Sequence, residues 1–368
     1  MTTTVEVFET QTISIFDQLD EFGHEQVVFC NDHETGLRAI VGIHNTVLGP
    51  ALGGARMWSY KSESDALNDV LRLSRGMTFK NSVAGLNLGG GKAVIIGDAR
   101  KHKTEALLRL FGRFVNNLGG KYITAEDVGM STKDIEMIAY ETKHVCGLPE
   151  SKGGSGDPSP FTALGVYVSM KAAAKKAYGN DSLAGKKVAV QGVGHVGEHL
   201  VAHLVKEGAK VYISDIYEDR LKAVAQKYNG VEIVGTDTIY DLPVDIYSPC
   251  ALGATVNDET LSRLKAQIIA GCANNQLKDE RKHGQICLDK GIIYAPDFLI
   301  NAGGVINIAT EVNGSYNREW ATSQVEGLYD RTLQVLDISL KDGKNAQIVA
   351  MEIALKRIKD MARIKSIG

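Results

Sequence analysis

"VAVQGVGHVGEHL", residues 188–200, is an apolar run that breaks into glycines and resumes in a helical pattern. Gly192, Gly194 and Gly197 stand as G-x-G-x-x-G, a spacing that is weak evidence by itself. Its flanks give it weight. The next strand-like run, "KVYISD" (210–215), ends in Asp215, about 20 residues beyond the first glycine. In a dinucleotide-binding turn, Gly192 permits the tight bend, Gly194 lets backbone approach a pyrophosphate, and Gly197 lets the helix lie close to the sheet. Val193, His195 and Val196 complete that loop. An acid at position 215 accepts hydrogen bonds from ribose hydroxyls and repels a 2′-phosphate, which favours NAD over NADP. A glycine-rich turn in some other doubly wound domain is the alternative.

Outward from this turn, short continuous apolar runs alternate with helical patterns: 186–192, 196–208, 210–215, 217–229, 244–250, 266–274 and 292–297. Such strands suit a sheet covered on both faces. Upstream, "PESKGGSGDPSP" (149–160) concentrates prolines and glycines and reads as an interdomain linker, followed by a helix over 162–179. A second alternation precedes it, with strands at 37–44, 92–98 and 121–127 and helices at 64–83 and 104–119. The last stretch, about 319–366, is helical and charged. The pattern predicts two α/β domains around a cleft.

A chain of 368 residues has room for two such domains. A net charge of -3 gives no electrostatic argument for nucleic acid or an anionic membrane. The start, "MTTTVEVFETQ", lacks a basic region followed by an apolar run, and no segment approaches the roughly 18 apolar residues of a membrane span. The five cysteines are scattered without a C-x-x-C and read as reduced. These features point to a soluble, cytoplasmic protein that handles small molecules.

Two further motifs compete for chemistry. "LNLGGGKAVIIGD" (86–98) places three glycines before Lys92, but a phosphate loop needs glycine where Leu86 stands and Ser or Thr where Ala93 stands. Its order is also reversed, because the strand Ala93–Ile96 is expected to follow the glycines. His195, Glu198 and His199 match the inverted zinc-peptidase pattern, with His203 continuing the spacing, yet His195 lies inside the glycine turn. Solvated or partly buried helix histidines are the plainer reading, and no metal is expected. Lys80 and Lys92 both sit at element edges near glycines, where a ligand has access.

"GPALGG", "RLSRGMTFKN", "LGGGKAVIIGD", "AEDVG", "PFTALGV" and "APDFLINAGGVIN" together resemble the glutamate, leucine, phenylalanine and valine dehydrogenases, and most of all the leucine enzymes of that family. The match runs from about residue 20 to 315. The resemblance implies reversible oxidative deamination of an L-amino acid to its 2-oxo acid and ammonia. It implies that Lys92 is catalytic, that Lys80 pairs with the substrate α-carboxylate and that Asp127 assists proton transfer. It places Thr162 and Asn274 at the nicotinamide end of NAD. Two neighbouring ammonium groups in a cleft depress each other's pKa and desolvation acts in the same direction, so one of the lysines is expected to be neutral enough to act as a base near neutral pH.

Specificity follows from what replaces charge. Leu52 stands where the resemblance puts a lysine in glutamate enzymes, and Ile308 where it puts a serine. With Gly53, Gly54, Met77, Ala125 and Val305 they are expected to form an apolar substrate pocket, unfavourable to a buried carboxylate. Leucine is favoured, with valine and isoleucine close behind and phenylalanine or valine as alternative main substrates. A non-catalytic NAD-binding regulatory module is the reading from a different class. The expected organisation is a substrate-binding and oligomerisation domain at 1–150, completed by C-terminal helices at 335–368, and a Rossmann-like NAD domain at 151–334. The resemblance further implies one reversed strand in the cofactor sheet and a homo-oligomer, an octamer.

Overall fold

The computed structural model describes residues 14–314 and 316–366; the opening residues 1–11, read above for a leader, lie outside them. Strands β1 (Gln26–Asp32), β2 (Leu37–Asn45), β3 (Ala51–Leu52), β4 (Ala55–Trp58), β5 (Gly89–Ile96) and β6 (Tyr122–Ile123) form one mixed sheet. Its order is β1-β2-β5-β3-β6, with β4 also paired to β5. β1, β2 and β5 run antiparallel in turn, whereas β3 and β4 lie parallel to β5 and β6 lies parallel to β3.

Two helices cover this sheet. Glu63–Val83 begins where the Ser62 side chain accepts the Asp65 amide, and it buries Leu67, Val70 and Leu71 against Ile40 and Val94. On the other face, Glu105–Asn117 places Leu107, Leu108, Phe111 and Val115 against Val41, Ala93, Ile95 and Tyr122. Each such buried side chain contributes about 1.5–3 kcal/mol relative to exposure.

The triple glycine does not precede its strand, as the sequence reading had it. Gly89, Gly90 and Gly91 are the first residues of β5, because each must admit a neighbour at close range. A Cβ on Gly89 would lie 1.9 Å from the Asn45 carbonyl oxygen, one on Gly90 2.1 Å from the Thr78 amide nitrogen, and one on Gly91 2.7 Å from the Tyr122 ring. The expected strand over 121–127 also shrinks, to Tyr122–Ile123, and the chain beyond it turns out as a loop carrying Asp127.

The second sheet comprises β7 (Lys187–Gln191), β8 (Lys210–Ser214), β9 (Glu232–Ile233), β10 (Ile246–Pro249), β11 (Ile268–Ile269) and β12 (Ile293–Tyr294), in the order β12-β11-β10-β7-β8-β9. All of its pairings are parallel. This corrects the expected reversed strand. Each connection passes through a helix or helical turn and re-enters the sheet in the same direction. Strand order reverses between β7 and β10, so ligands of such a sheet belong at the carboxyl ends of those two strands.

Segment 149–160 is ordered around one carboxylate. Glu311 accepts the backbone N–H groups of Gly147 at 3.0 Å, Leu148 at 3.5 Å and Ser155 at 2.8 Å. The helix that follows, Ser159–Tyr178, packs on helix Leu328–Asp342, where Thr332 donates to Ser169. Leu328–Asp342 runs unbroken across position 335. The chain then returns to the first layer. From helix Ala346–Ser366, the Ala354 carbonyl accepts the Ser82 hydroxyl, and Arg357 donates to the carbonyls of Ser82 and Leu86.

Candidate active site

Side chains of a strand alternate faces, so Gly90, Lys92 and Val94 share one face of β5. That face meets helix Glu63–Val83, whose last turns carry Met77 and Lys80. Between β3 and β4 the chain crosses β5 as Gly53-Gly54, where no side chain fits. A Cβ on Gly53 would be 1.8 Å from the Gly91 carbonyl oxygen, and one on Gly54 2.3 Å from that of Glu126. This close crossing holds the Asp127 loop against Lys92.

Lys92 is 6% exposed, and its ammonium lies 3.1 Å from Asp127 Oδ2. The same oxygen accepts Arg56 Nε at 2.9 Å. Arg56 also donates to Asp69 at 3.1 Å, which accepts the Tyr60 hydroxyl at 2.6 Å. Burial acts to raise the Asp127 pKa, but the positive charges of Lys92 and Arg56 outweigh it and hold the carboxyl below its ordinary range. Asp127 is a firm anion shared by two cations.

The depressed lysine is Lys80. Burial brings its pKa down to about 8, opposed by Asp297 and reinforced by Lys92. Of the two causes expected from sequence, desolvation is the larger and repulsion by Lys92 the smaller. Asp297 is 3% exposed; it accepts the amides of Gln276 and Phe298, and burial pushes its carboxyl up.

Leu52, Ala125 and Val305 are buried in a single apolar cluster, with Met77 and Ile308 packed against it half-buried. Of the expected pocket residues, Gly53 and Met77 adjoin directly, a Cβ on Gly53 lying 3.1 Å from Met77 Cγ. Sequence reading missed Arg56, Asp69, Tyr60 and Asp297. The signal for Arg56 was its place directly after "GPALGGA", two residues beyond the glycine crossing. Trp58 is exposed, and nothing in the structure explains its presence there.

At the second sheet, the glycines meet the demands of a phosphate turn. Gly192 has φ +101, and a Cβ there would be 2.7 Å from both Cβ and N of Ala251. A Cβ on Gly197 would be 2.1 Å from the Gly192 carbonyl oxygen. Nothing lies within 4 Å of the Cβ position of Gly194, the N-cap of helix His195–Glu207, which has no side-chain cap. The turn is open where a phosphate would need it. Val193 is buried, Val196 partly buried and His195 exposed. Asp215 accepts the Val193 amide at 2.9 Å, so it braces the turn as well as facing its mouth.

Thr162 and Asn274 each adjoin the start of helix Gly303–Ala309. A Cβ on Gly304 would be 2.6 Å from Thr162 Oγ1, and Asn301 donates to Asn274 at 2.8 Å. The zinc-like residues are otherwise engaged: Glu198 pairs with Lys227, and His203 stacks on Tyr167. The described residues fit a dinucleotide at this sheet edge.

The family model of the Glu/Leu/Phe/Val dehydrogenase dimerisation domain matches residues 24–144, and that of Glutamate/Leucine/Phenylalanine/Valine dehydrogenase matches 153–217 and 212–363. The chain belongs to the Glu/Leu/Phe/Val dehydrogenase family. It is 55% identical over 354 residues to a leucine dehydrogenase of Thermoactinomyces intermedius, covering 96% of each chain. A phenylalanine dehydrogenase from the same organism is 44% identical, again over 96% of each. The crystal structure of L-tryptophan dehydrogenase from Nostoc punctiforme superposes with a TM-score of 0.83 at 43% identity, covering 95% of this chain and 100% of that one. The two-sheet architecture is that of an amino-acid dehydrogenase, and Lys80 of its first half interacts with the charge of Asp297 from its Rossmann-like half.

Proposed function

We propose that this amino-acid dehydrogenase oxidatively deaminates branched-chain L-amino acids, leucine foremost and then valine and isoleucine, to 2-oxo acids and ammonia. The observation that carries this reading is the pairing of Lys92 with Asp127 beside the partly neutral Lys80, against an apolar wall of Leu52, Ala125 and Val305. The protonated Lys80 ammonium holds the substrate α-carboxylate. The wall accepts an aliphatic side chain and leaves a distal carboxylate without a partner.

NAD bound at the Gly192–Gly197 turn supplies the hydride acceptor, with Asp215 turned against a 2′-phosphate. Lys92 orients water for attack on the imine carbon of the oxidised substrate. Asp127, adjoining its ammonium, takes up and returns protons as ammonia leaves. Thr162 and Asn274 border the nicotinamide end.

We assign residues 1–150 to substrate binding and oligomerisation with 335–368 completing them, and 151–334 to the cofactor. The dimerisation-domain match and the motif resemblance support a homo-octamer. The free cysteines support a reducing, cytoplasmic setting.

The test is a panel of leucine, isoleucine, valine, phenylalanine and glutamate, each with NAD and with NADP. Leucine with NAD should give the highest kcat/KM. A best substrate of phenylalanine or glutamate, or a preference for NADP, overturns the corresponding assignment. Lys92→Ala should keep cofactor binding and lose turnover, whereas a regulatory module would show no turnover in the parent protein.

A further inference from the structure

Cys250 follows β10 and Cys272 follows β11, neighbouring parallel strands paired through Tyr247 and Ile269. The two residues adjoin: the Cys272 amide donates to Cys250 Sγ at 3.5 Å, and the Cys272 thiol reaches the Cys250 carbonyl at 3.7 Å. Adjacent strands lie about 4.8 Å apart. A disulfide accepts Cα separations of roughly 4.4–6.8 Å.

We propose that Cys250 and Cys272 form a reversible disulfide that switches the cofactor site off under oxidation by a hydroperoxide. The inference rests on the assignment of NAD to the Gly192–Gly197 turn. As residues, Cys250 and Cys272 are half-buried, whereas Cys30, Cys146 and Cys287 are buried. Burial also pushes the thiols of Cys30 and Cys287 up, to about 11 and about 12, and that of Cys146 up as well. Cys250 is the opposite case. Hydrogen bonds from the Cys272 thiol, Ser248 and the Cys272 amide favour its thiolate, and Cys272 keeps its proton.

The Cys250 thiolate attacks one peroxide oxygen, forming an S–O bond as the O–O bond breaks; the leaving alkoxide takes a proton and departs as an alcohol. The Cys272 sulfur then attacks the resulting sulfenic sulfur. An S–S bond forms, the S–O bond breaks, and water leaves with the Cys272 proton. Two thiols are oxidised and one peroxide is reduced.

Each sulfur is tied to the cofactor turn or its neighbour. Next to Cys250, Ala251 sits 2.7 Å from where a Gly192 Cβ would be, and the Cys250 amide donates to Gln191 at 2.7 Å, so a shift at Cys250 presses on the glycine turn. The Cys272 carbonyl accepts Asn301 Nδ2, which also donates to Asn274. Drawing the two strand ends together displaces both ends of the site.

The full-length enzyme, reduced and then treated with hydrogen peroxide, should lose two thiols and yield a peptide cross-linked through Cys250 and Cys272 by non-reducing mass spectrometry. NADH affinity, read by fluorescence titration, should fall at least tenfold and return with dithiothreitol. Cys272→Ser should keep its NADH affinity through the same treatment. No cross-linked peptide, or one formed with NADH affinity unchanged, overturns the switch. A reduced enzyme that binds no NADH overturns the cofactor assignment instead, and the peptide map still decides whether the cysteines pair.

Discussion

Titrating Lys80 tests the charge balance of the cleft directly. Its pKa is brought from an ordinary 10.5 to about 8, a displacement of roughly 2.5 units, or about 3 kcal/mol between its two protonation states. If the ammonium holds the substrate carboxylate, only the protonated form binds an anion. At pH 9 about a tenth of the free enzyme carries that proton, and at pH 10 about a hundredth. The probe should itself lack a group that titrates in this range, which excludes leucine and ammonia. 4-Methylpentanoate, the deaminated analogue of leucine, meets the requirement. Its inhibition constant against leucine should be nearly flat from pH 6 to 7.5 and rise tenfold per unit above about 8. Binding should also take up a proton at pH 8.5, measurable as a buffer-dependent heat in calorimetry. Lys80→Arg, whose guanidinium stays charged, should remove the rise. An inhibition constant independent of pH up to 10 in the parent enzyme would refute the reasoning, because then either the carboxylate does not meet Lys80 or the lysine is not depressed.

Gly90→Ala places a methyl 2.1 Å from the Thr78 backbone nitrogen, and it should cost about 3 kcal/mol with a fall of several degrees in Tm; an unchanged melt would contradict the packing argument. Arg56→Met removes one of the two cations on Asp127, so kcat should drop about a hundredfold, with KM for leucine little changed and the acid limb of the kcat profile moved to higher pH. An unaltered acid limb would show that Arg56 does not govern Asp127. His24 and His44, stacked edge to face at 4.9 Å, are brought down from 6.5 to about 4 chiefly by burial. The unfolded chain therefore binds more protons between pH 4 and 6.5, and stability is fully present above 6.5 and lost as pH falls through that window, by up to about 3 kcal/mol per ring. Urea midpoints of the parent and of His44→Gln, compared from pH 4 to 7, should converge toward the acid end, and parallel curves would count against it.

The cofactor half was legible because its signals are local. A glycine turn, a strand and an acid at the next strand end lie within one stretch of chain, and in the fold Gly197 packs on Gly192 while Asp215 accepts the Val193 amide between them. The crossing of β5 by Gly53-Gly54 was written less openly, since glycines before a lysine announce close approach without saying what approaches. Arg56, Asp127 and Lys92 come from three elements far apart in sequence, and only their packing makes one carboxylate serve two cations. Strand lengths misled for a related reason: at 121–127 and 266–274 the continuous ladder is two residues long, pairing persists only as isolated bridges or single hydrogen bonds, and Asp127, Cys272 and Asn274 lie in the segments beyond. The reversed strand came from resemblance alone, with no residue pattern behind it, and the pairings of β7 to β12 contradict it.

The return of Ala346–Ser366 to the first layer sets an order of assembly. Ser82 and the carbonyls that Arg357 satisfies close the C-terminal end of the very helix that carries Lys80. While the chain is being synthesised, that helix end stays unsupported until the segment carrying Ala354 and Arg357 has emerged. A nascent chain stalled before residue 346 would hold a completed cofactor turn beside an unfinished lysine cleft. Nucleotide binding would then mature ahead of catalysis.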